Sequence, residues 1–433
     1  MSDFDPHISV DQLHSAKDAN CNVKEITLDN LGLKLETPFK IISGKSLTDK
    51  KVSNFIEPVK SPLFEFEKYI VQARSYQSLI NTLNEGGKEK DWIRTLNDSM
   101  GLRASLEDNY RKNNVLSIAF QHYPLDDVNL RKKPKFYSRM DKSLYETYLD
   151  YVYSASTAFI LTPDVMIPSA ASKRNFSIEE YLRFIEFSVK TFQDLNNKPI
   201  FVPIQIDLSS KDLRGIIGAY KKNGFSNIWI NFKAQKCNGS HAGKLRVINR
   251  RIKEFFGEEA VVYCSHMKKD TDISHSPVPA LDILPSFSGA DFVGINRNHM
   301  GFGDTDAEEL AKKKGFASKE EYDNALNESR CSIFDPTSYY YYVPRDYPRD
   351  SIDSGAMNTI QENKLLCSLY NNVEIYKELA TAREEIFNTD SLWTYLESKE
   401  GVSQNIAIFN ESVKKEPLSA SQKKSIQRLL LKK

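Results

Sequence analysis

Short apolar segments recur along most of this chain, and stretches whose apolar side chains are spaced as on a helix face lie between them. Read as strands, the segments are Phe39–Ser43, Val115–Gln121, Ala158–Thr162, Pro199–Ile206, Asn227–Asn231, Ala260–Ser265, Asp291–Asn296 and Cys331–Phe334. The helical spacing is clearest in Ile178–Leu195, Lys211–Asn223, Leu245–Phe256 and Glu320–Glu328. Strand and helix in alternation imply a parallel sheet, and eight strands are the number that closes a (β/α)8 TIM barrel. An open doubly wound sheet would carry a glycine-rich phosphate turn after its first strand. Ile42-Ser43-Gly44-Lys45-Ser46 is a poor version of one. The expected fold class is therefore α/β, a TIM barrel with a helical insertion and C-terminal helices.

Composition sets the limits around that fold. At 433 residues, with 40% hydrophobic and 27% charged side chains, the chain can bury a large core. Residues 1–23 are polar and read as an N-terminal extension, 24–390 as the barrel, and 62–110 as a charged helical insertion covering one of its ends. Residues 391–433 read as a helical basic tail, with Lys414-Lys415, Lys423-Lys424 and Lys432-Lys433 beside Leu429-Leu430-Leu431. A net charge of +1 argues against a surface coated in basic charge and leaves room for a local basic groove. The N-terminus lacks a basic stretch followed by an apolar core, and no apolar run is long enough to span a bilayer, so the expectation is a cytoplasmic chain without a membrane partner. Cys21, Cys237, Cys264, Cys331 and Cys367 lie far apart with no metal-type spacing. No metal site is expected from them.

In a barrel of this kind, chemistry belongs where strands end. One strand runs into Leu161-Thr162-Pro163-Asp164, another into Pro203-Ile204-Gln205-Ile206-Asp207, and the last into Phe334-Asp335. A carboxylate can accept from a ring N–H and an exocyclic amine together, while a glutamine amide can donate to a ring carbonyl. Asp164 and Gln205 thus suit the edge of a guanine. Asp335 is the candidate nucleophile. The plainer readings stand beside these: a Pro-Asp turn at Asp164, a buried amide satisfied by backbone at Gln205, and at Asp335 an Asp-Pro-Thr-Ser turn whose carboxylate caps backbone N–H groups.

Several stretches, in order, resemble the tRNA-guanine transglycosylase superfamily. They are Leu35-Glu36-Thr37-Pro38-Phe39, then Ile204-Gln205 with Lys211-Asp212-Leu213-Arg214, then Phe334-Asp335-Pro336-Thr337-Ser338-Tyr339, and Leu366–Asn372 running into Ala382-Arg383-Glu384-Glu385-Ile386. The resemblance implies replacement of guanine in nucleic acid by a free 7-deazaguanine base. Asp335 would attack the sugar carbon, and Asp164 and Gln205 would read the base. Phe120 and Tyr339 are candidates to sandwich the ring, Arg297 to meet a phosphate, and His299 to orient the base or move a proton. His241 and His266 are weaker candidates.

The departures from the family pattern matter equally. The family's second carboxylate falls on Leu116, leaving Asp126, Asp127 or Asp207 to replace it. The family's zinc site is reduced to Cys367, with Tyr370 where its histidine would stand, so neither zinc nor any other cofactor is expected. The diverged zinc region, and the few residues after position 390, resemble the DNA-modifying branch more than the tRNA branch, and favour DNA slightly over tRNA as partner. Two other readings stay open. One is a catalytically silent subunit of the same fold that binds nucleic acid or a protein partner. The other is an unrelated barrel hydrolase or lyase using Asp164 and Asp335 on a small molecule.

Overall fold

The computed structural model describes residues 5, 7–44, 63–70, 73–86, 92–100, 102, 113–125, 140–166, 177–195, 197–270, 276–297, 307–348 and 364–414. In chain order the strands are β1 (Ile8–Ser15), β2 (Asn22–Leu28), β3 (Leu33–Glu36), β4 (Phe39–Lys40), β5 (Ile42–Ser43), β6 (Leu63–Ile70), β7 (Asn113–Phe120) and β8 (Ile160–Leu161). They continue with β9 (Asp164–Val165), β10 (Ile200–Gln205), β11 (Ile228–Asn231), β12 (Val262–Ser265), β13 (Val278–Pro279), β14 (Phe292–Val293), β15 (Ile333–Asp335) and β16 (Tyr340–Tyr342).

The centre is a curled parallel sheet in two hydrogen-bonded parts, β4-β14-β12-β11-β10-β8 and β5-β6-β7-β9. The parts meet along two chain segments. Residues 39–43 pair with β14 through β4 and with β6 through β5. Residues 160–165 pair with β10 through β8 and with β7 through β9. Among the described residues, helices separate β6 from β7, β7 from β8, β9 from β10, β10 from β11 and β11 from β12, as parallel pairing requires. Ile178–Leu195 shows why they dock: Tyr181, Phe184, Ile185, Ser188, Val189 and Phe192 share one buried face. Ser209 starts the helix Ser210–Lys222 by accepting the backbone N–H of Asp212.

Two strand assignments are corrected. Residues 63–70, read from sequence as part of a helical insertion, form β6, which pairs with β7 along its whole length. The helices Ala73–Gly86 and Trp92–Ser99 follow it. Leu-Phe-Glu-Phe-Glu-Lys-Tyr-Ile looks like a charged surface segment because its Glu65 and Glu67 find partners only in the tertiary structure. Conversely, Cys331–Phe334 belongs to a separate antiparallel sheet, β13-β16-β15. Cys331 and Ile333 pack with Tyr347 and Cys367, while Phe334 joins the large cluster that includes the parallel-sheet residues.

The N-terminal residues, expected as a polar extension, begin an antiparallel sheet β1-β2-β3. That sheet lies across the N-terminal ends of the parallel strands. Ile26, Leu28 and Leu35 join Phe39, Ile41, Leu63, Val115, Phe159, Leu161, Phe201, Trp229, Tyr263 and Phe292 in one buried cluster. Lys24 reaches the same end, where its Nζ donates to Ala260 O at 2.9 Å and stands 3.0 Å from Asp291 Oδ1. Asp5 accepts from Ile200 N and Asn227 Nδ2 beside it. Within the expected tail, short helices at Trp393–Glu397, Glu400–Ser403 and Ile406–Ser412 return to the N-terminal segment, and Asp18 accepts from Leu392 N and Trp393 N. The lysine pairs beyond Lys414 lie outside the described residues.

Both members of the Lys24–Asp291 pair are almost wholly buried, with side-chain exposures of 6% and 4%. Breaking one side of such a pair strands the other charge. Lys24→Met is expected to lower unfolding free energy by about 3–5 kcal/mol, and Lys24→Met with Asp291→Leu to recover much of the loss. Urea unfolding of the two variants checks this; equal losses would show that the charges are not the cause.

Candidate functional site

With the N-terminal ends covered, the polar side chains of the parallel strands collect toward their C-terminal ends. Register places Gln205, Asn231 and Ser265 side by side at the last residues of β10, β11 and β12. Asp164 opens β9, opposite Ala119 of β7. All four polar side chains are fully buried.

Asp164 and Gln205 do meet, and they meet each other. Gln205 Nε2 donates to both carboxylate oxygens, at 2.9 and 3.0 Å, and to Val165 O at 2.7 Å. Tyr181 OH donates to Asp164 Oδ1 at 3.0 Å, and Asn231 Nδ2 to Oδ2 at 2.8 Å. Burial pushes the Asp164 carboxyl above its ordinary range, while these donors pull it the other way.

Asn231 continues the line. Its Oδ1 accepts from Lys233 N at 3.0 Å and lies 3.2 Å from His266 Nδ1. His266 Nε2 is 2.9 Å from Ser117 Oγ and 3.3 Å from Glu65 Oε1. Glu65 Oε2 in turn accepts from Tyr263 OH at 2.5 Å and Ile295 N at 2.7 Å. Burial raises the Glu65 carboxyl, but the bonds from His266, Tyr263 and Ser117 outweigh it and hold the group below its usual range. Gly294 makes the room: a Cβ there would stand 2.2 Å from both Glu65 Oε2 and the Tyr263 hydroxyl oxygen. A glycine inside an apolar strand is the sequence signal that points to this close approach. Glu65 and Asn231 themselves were not among the expected site residues, and His266 only as a weak candidate. A glutamate inside a strand reads as surface until its partner is seen.

The other expected contacts are committed elsewhere. Arg297, expected to meet a phosphate, has its Nε 2.9 Å from Glu67 Oε1 and its guanidinium carbon 3.9 Å from the Tyr69 ring centroid. Asp207 pairs with Lys233 Nζ at 3.0 Å. Phe120 is core, edge-on to Tyr148. Tyr339 is buried, stacked on Phe287, and donates to Glu378 at 2.6 Å. His241 sits half-buried at the start of Gly239–Phe256, where burial lowers its imidazole below the ordinary value. Asp126, Asp127 and His299 lie outside the described residues.

Asp335 ends β15, so it is not carried by the parallel sheet as expected. Its carboxylate accepts from Thr337 N and Oγ1 and from Ser338 N and Oγ, at 2.5–3.2 Å, and it shares no bond with Asp164 or Gln205. This is the capping turn that the Asp-Pro-Thr-Ser motif equally allowed. Asn371 Oδ1, Lys399 Nζ and Gly401 N fasten the turn through Phe334 N, Pro336 O and Ser338 O. Among the described residues, no group of three or more His, Cys, Asp or Glu side chains is arranged to hold a metal ion. Cys367 and Asn371 instead bond Ser332 O.

Lys40 is the remaining buried charge near Glu65. Its Nζ donates to Gly294 O, and burial pushes the ammonium down to about 8. Between pH 8 and 10.5 the unfolded chain binds the proton that the folded chain has released, so stability rises with pH across that window. Below pH 8 the burial penalty is present in full. Lys40→Met is therefore expected to stabilise more at pH 7 than at pH 10.5, by roughly 3 kcal/mol. Urea midpoints at the two pH values check this, and an effect independent of pH would contradict it.

No protein-family model and no curated protein matches the chain. Solved structures with a similar trace include a modular endo-β-1,4-mannanase from Cellulomonas fimi, 12% identical, covering 60% of this chain and 65% of that one with a TM-score of 0.31. A glucosidase from Croceicoccus marinus is 10% identical over 74% of this chain and 66% of its own, with a TM-score of 0.36. A probable tagatose 6 phosphate kinase from Sinorhizobium meliloti 1021 is 12% identical over 85% and 90%, with a TM-score of 0.34. The chain spans slightly less than two thirds of the mannanase and the glucosidase. At these scores the likenesses carry no argument about chemistry.

Proposed function

We propose that this chain is a base-exchange transglycosylase, replacing guanine in a nucleic acid by a 7-deazaguanine. The observation that carries the reading is the Asp164 carboxylate and Gln205 amide, held against each other where β9 begins and β10 ends. Each can exchange its bond to the other for bonds to a purine: the carboxylate to ring N–H and amine, the amide to the ring carbonyl. We infer further that the two sheet parts form one closed barrel, with residues 39–43 and 160–165 each serving as a single strand. The pairing of both segments on both sides supports that closure.

In the reaction, an oxygen of Asp335 bonds to the sugar C1′ as the bond from C1′ to guanine N9 breaks. The electron pair leaves with the base, which takes up a proton. The incoming 7-deazaguanine gives up its N9 proton, bonds to C1′ and expels the carboxylate. The hydroxyls of Thr337 and Ser338 favour the ionised form of Asp335 and must turn aside for the attack. DNA remains slightly favoured over tRNA as the polymer.

That occupied carboxylate also favours a second reading, a silent subunit that binds nucleic acid without exchanging bases. The hydrolase or lyase reading loses ground, because Asp164 and Asp335 stand on different sheets and share no partner.

Incubation with DNA and tRNA carrying labelled guanine, together with candidate 7-deazaguanines, separates these readings. Exchange is expected, with a covalent adduct that disappears in Asp335→Asn and base selectivity that collapses in Asp164→Asn and Gln205→Glu. Polymer affinity is expected to fall steeply with salt. Binding without release of label would favour the silent subunit, and exchange that survives Asp335→Asn would remove the nucleophile from its role.

A further inference from the structure

Arg297 follows β14 and commits only part of its guanidinium to the protein. Its Nε stands 2.9 Å from Glu67 Oε1, and its guanidinium carbon lies 3.9 Å from the centroid of the Tyr69 ring, so one nitrogen and one face are taken. Among the described residues, its two terminal amino groups meet no acceptor. They form the edge of the guanidinium that matches two oxygens of an anion. A side chain already held by a carboxylate and a ring loses little freedom when a ligand arrives.

Lys268 stands beside it. A parallel bridge pairs Met267 with Asn296, and Arg297 N donates to Met267 O at 2.7 Å. Met267 joins the large apolar cluster and Asn296 bonds Asp282, so the next residue of each segment, Lys268 and Arg297, turns to the opposite face. Neighbouring strands run about 4.8 Å apart, and two side chains of this length reach a common group across that gap. Lys268 is half-buried, and among the described residues its ammonium meets no acceptor. Other cations that follow these strands are engaged: Lys233 with Asp207, Lys236 with Asp270, and Lys269 Nζ with Ser332 O. Glu67 balances the charge of Arg297, so the charge of Lys268 is the surplus beside it.

We propose that Arg297 and Lys268 form a phosphate site at the C-terminal rim of the parallel sheet, where the terminal amino groups of Arg297 take two phosphate oxygens and Lys268 takes a third. A carboxylate has two oxygens and satisfies the arginine edge alone; a phosphate has a further oxygen for the lysine. The two cations follow β12 and β14, the last strands in chain order to join the parallel sheet. Phosphate groups commonly bind after the last two strands of TIM-barrel enzymes, and the placement here matches. The phosphate belongs to a nucleic-acid backbone or to a small phosphate ester. Neither source depends on the base-reading role of Asp164.

The test is calorimetry on the whole protein at fixed ionic strength, with inorganic phosphate, glycerol phosphate and a single-stranded oligodeoxynucleotide as probes. Binding of the small phosphates identifies a phosphate ester as the ligand, and binding of the oligonucleotide alone identifies a polymer backbone. Whichever binds is expected to weaken on the order of tenfold in Arg297→Lys, which keeps the charge and loses the paired edge, and by a similar factor in Lys268→Ala. Lys222→Ala removes an exposed charge from the end of the helix Ser210–Lys222 and is expected to leave affinity unchanged. Should Arg297→Lys not fold, the contrast between Lys268→Ala and Lys222→Ala decides. Equal losses in those two variants would reveal attraction by net charge alone and overturn the site, as would full affinity in Arg297→Lys or the binding of no probe. Phosphate binding that depends on Arg297 and Lys268 in a protein that exchanges no base would uphold the site and count against the reaction proposed above.

Discussion

A charge taken out of water must be met by another charge or by well-aimed hydrogen bonds, and the interior of this parallel sheet holds several. Glu65, Asp164 and Lys40 all lie within it, and Glu65 and Asp164 are fully buried, as is the His266 ring beside them. They survive there because strands from opposite sides of the sheet bring partners to them: β6 supplies Glu65, His266 follows the end of β12, β11 ends at Asn231 and β9 begins with Asp164. Remove the pairing of those strands and each group is an unpaid cost; keep it and the same groups fix how the strands sit against one another. Gly294 belongs to this arrangement, since the approach of Glu65 and Tyr263 leaves no space for a side chain.

The two ends of the sheet are chemically unlike. At the N-terminal ends, the antiparallel sheet of residues 8–36 covers an aromatic and aliphatic cluster, and Lys24 with Asp291 ties it down. Polar residues are carried instead toward the C-terminal ends, where Gln205, Asn231 and Ser265 close β10, β11 and β12. That asymmetry is what makes the C-terminal side the place to look for a ligand, on the general behaviour of parallel α/β sheets. Asp164 and Gln205 meet there because residues 160–165 pair with β10 through β8 just before Asp164 begins β9.

Asp335 shows the opposite case. Its local sequence served equally well as a reactive strand end and as a turn that caps its own backbone, and nothing within a dozen residues could choose between them. The fold places it in a turn fastened by Lys399 and Gly401 from far along the chain. Tyr339 and Phe120 were ambiguous in the same way. Each is aromatic at a strand end, and each is used for packing, Tyr339 through Phe287 and Glu378 and Phe120 through Tyr148.

Alternating apolar segments and helical spacing determined by themselves that this chain builds a parallel sheet with helices between its strands, because both periods are local properties of the backbone. They located most of the strands and the meeting of Asp164 with Gln205. Which segments join that sheet was decided only in three dimensions. Residues 63–70 look polar because the inward-facing Glu65 and Glu67 are balanced by His266 and Arg297, more than two hundred positions away. Residues 331–334 look like a strand of the parallel sheet, yet Cys331 and Ile333 are apolar to pack with Tyr347 and with Cys367 of the helix that begins at Lys364. Burial depends on the partner, and a partner distant along the chain leaves no mark on local spacing.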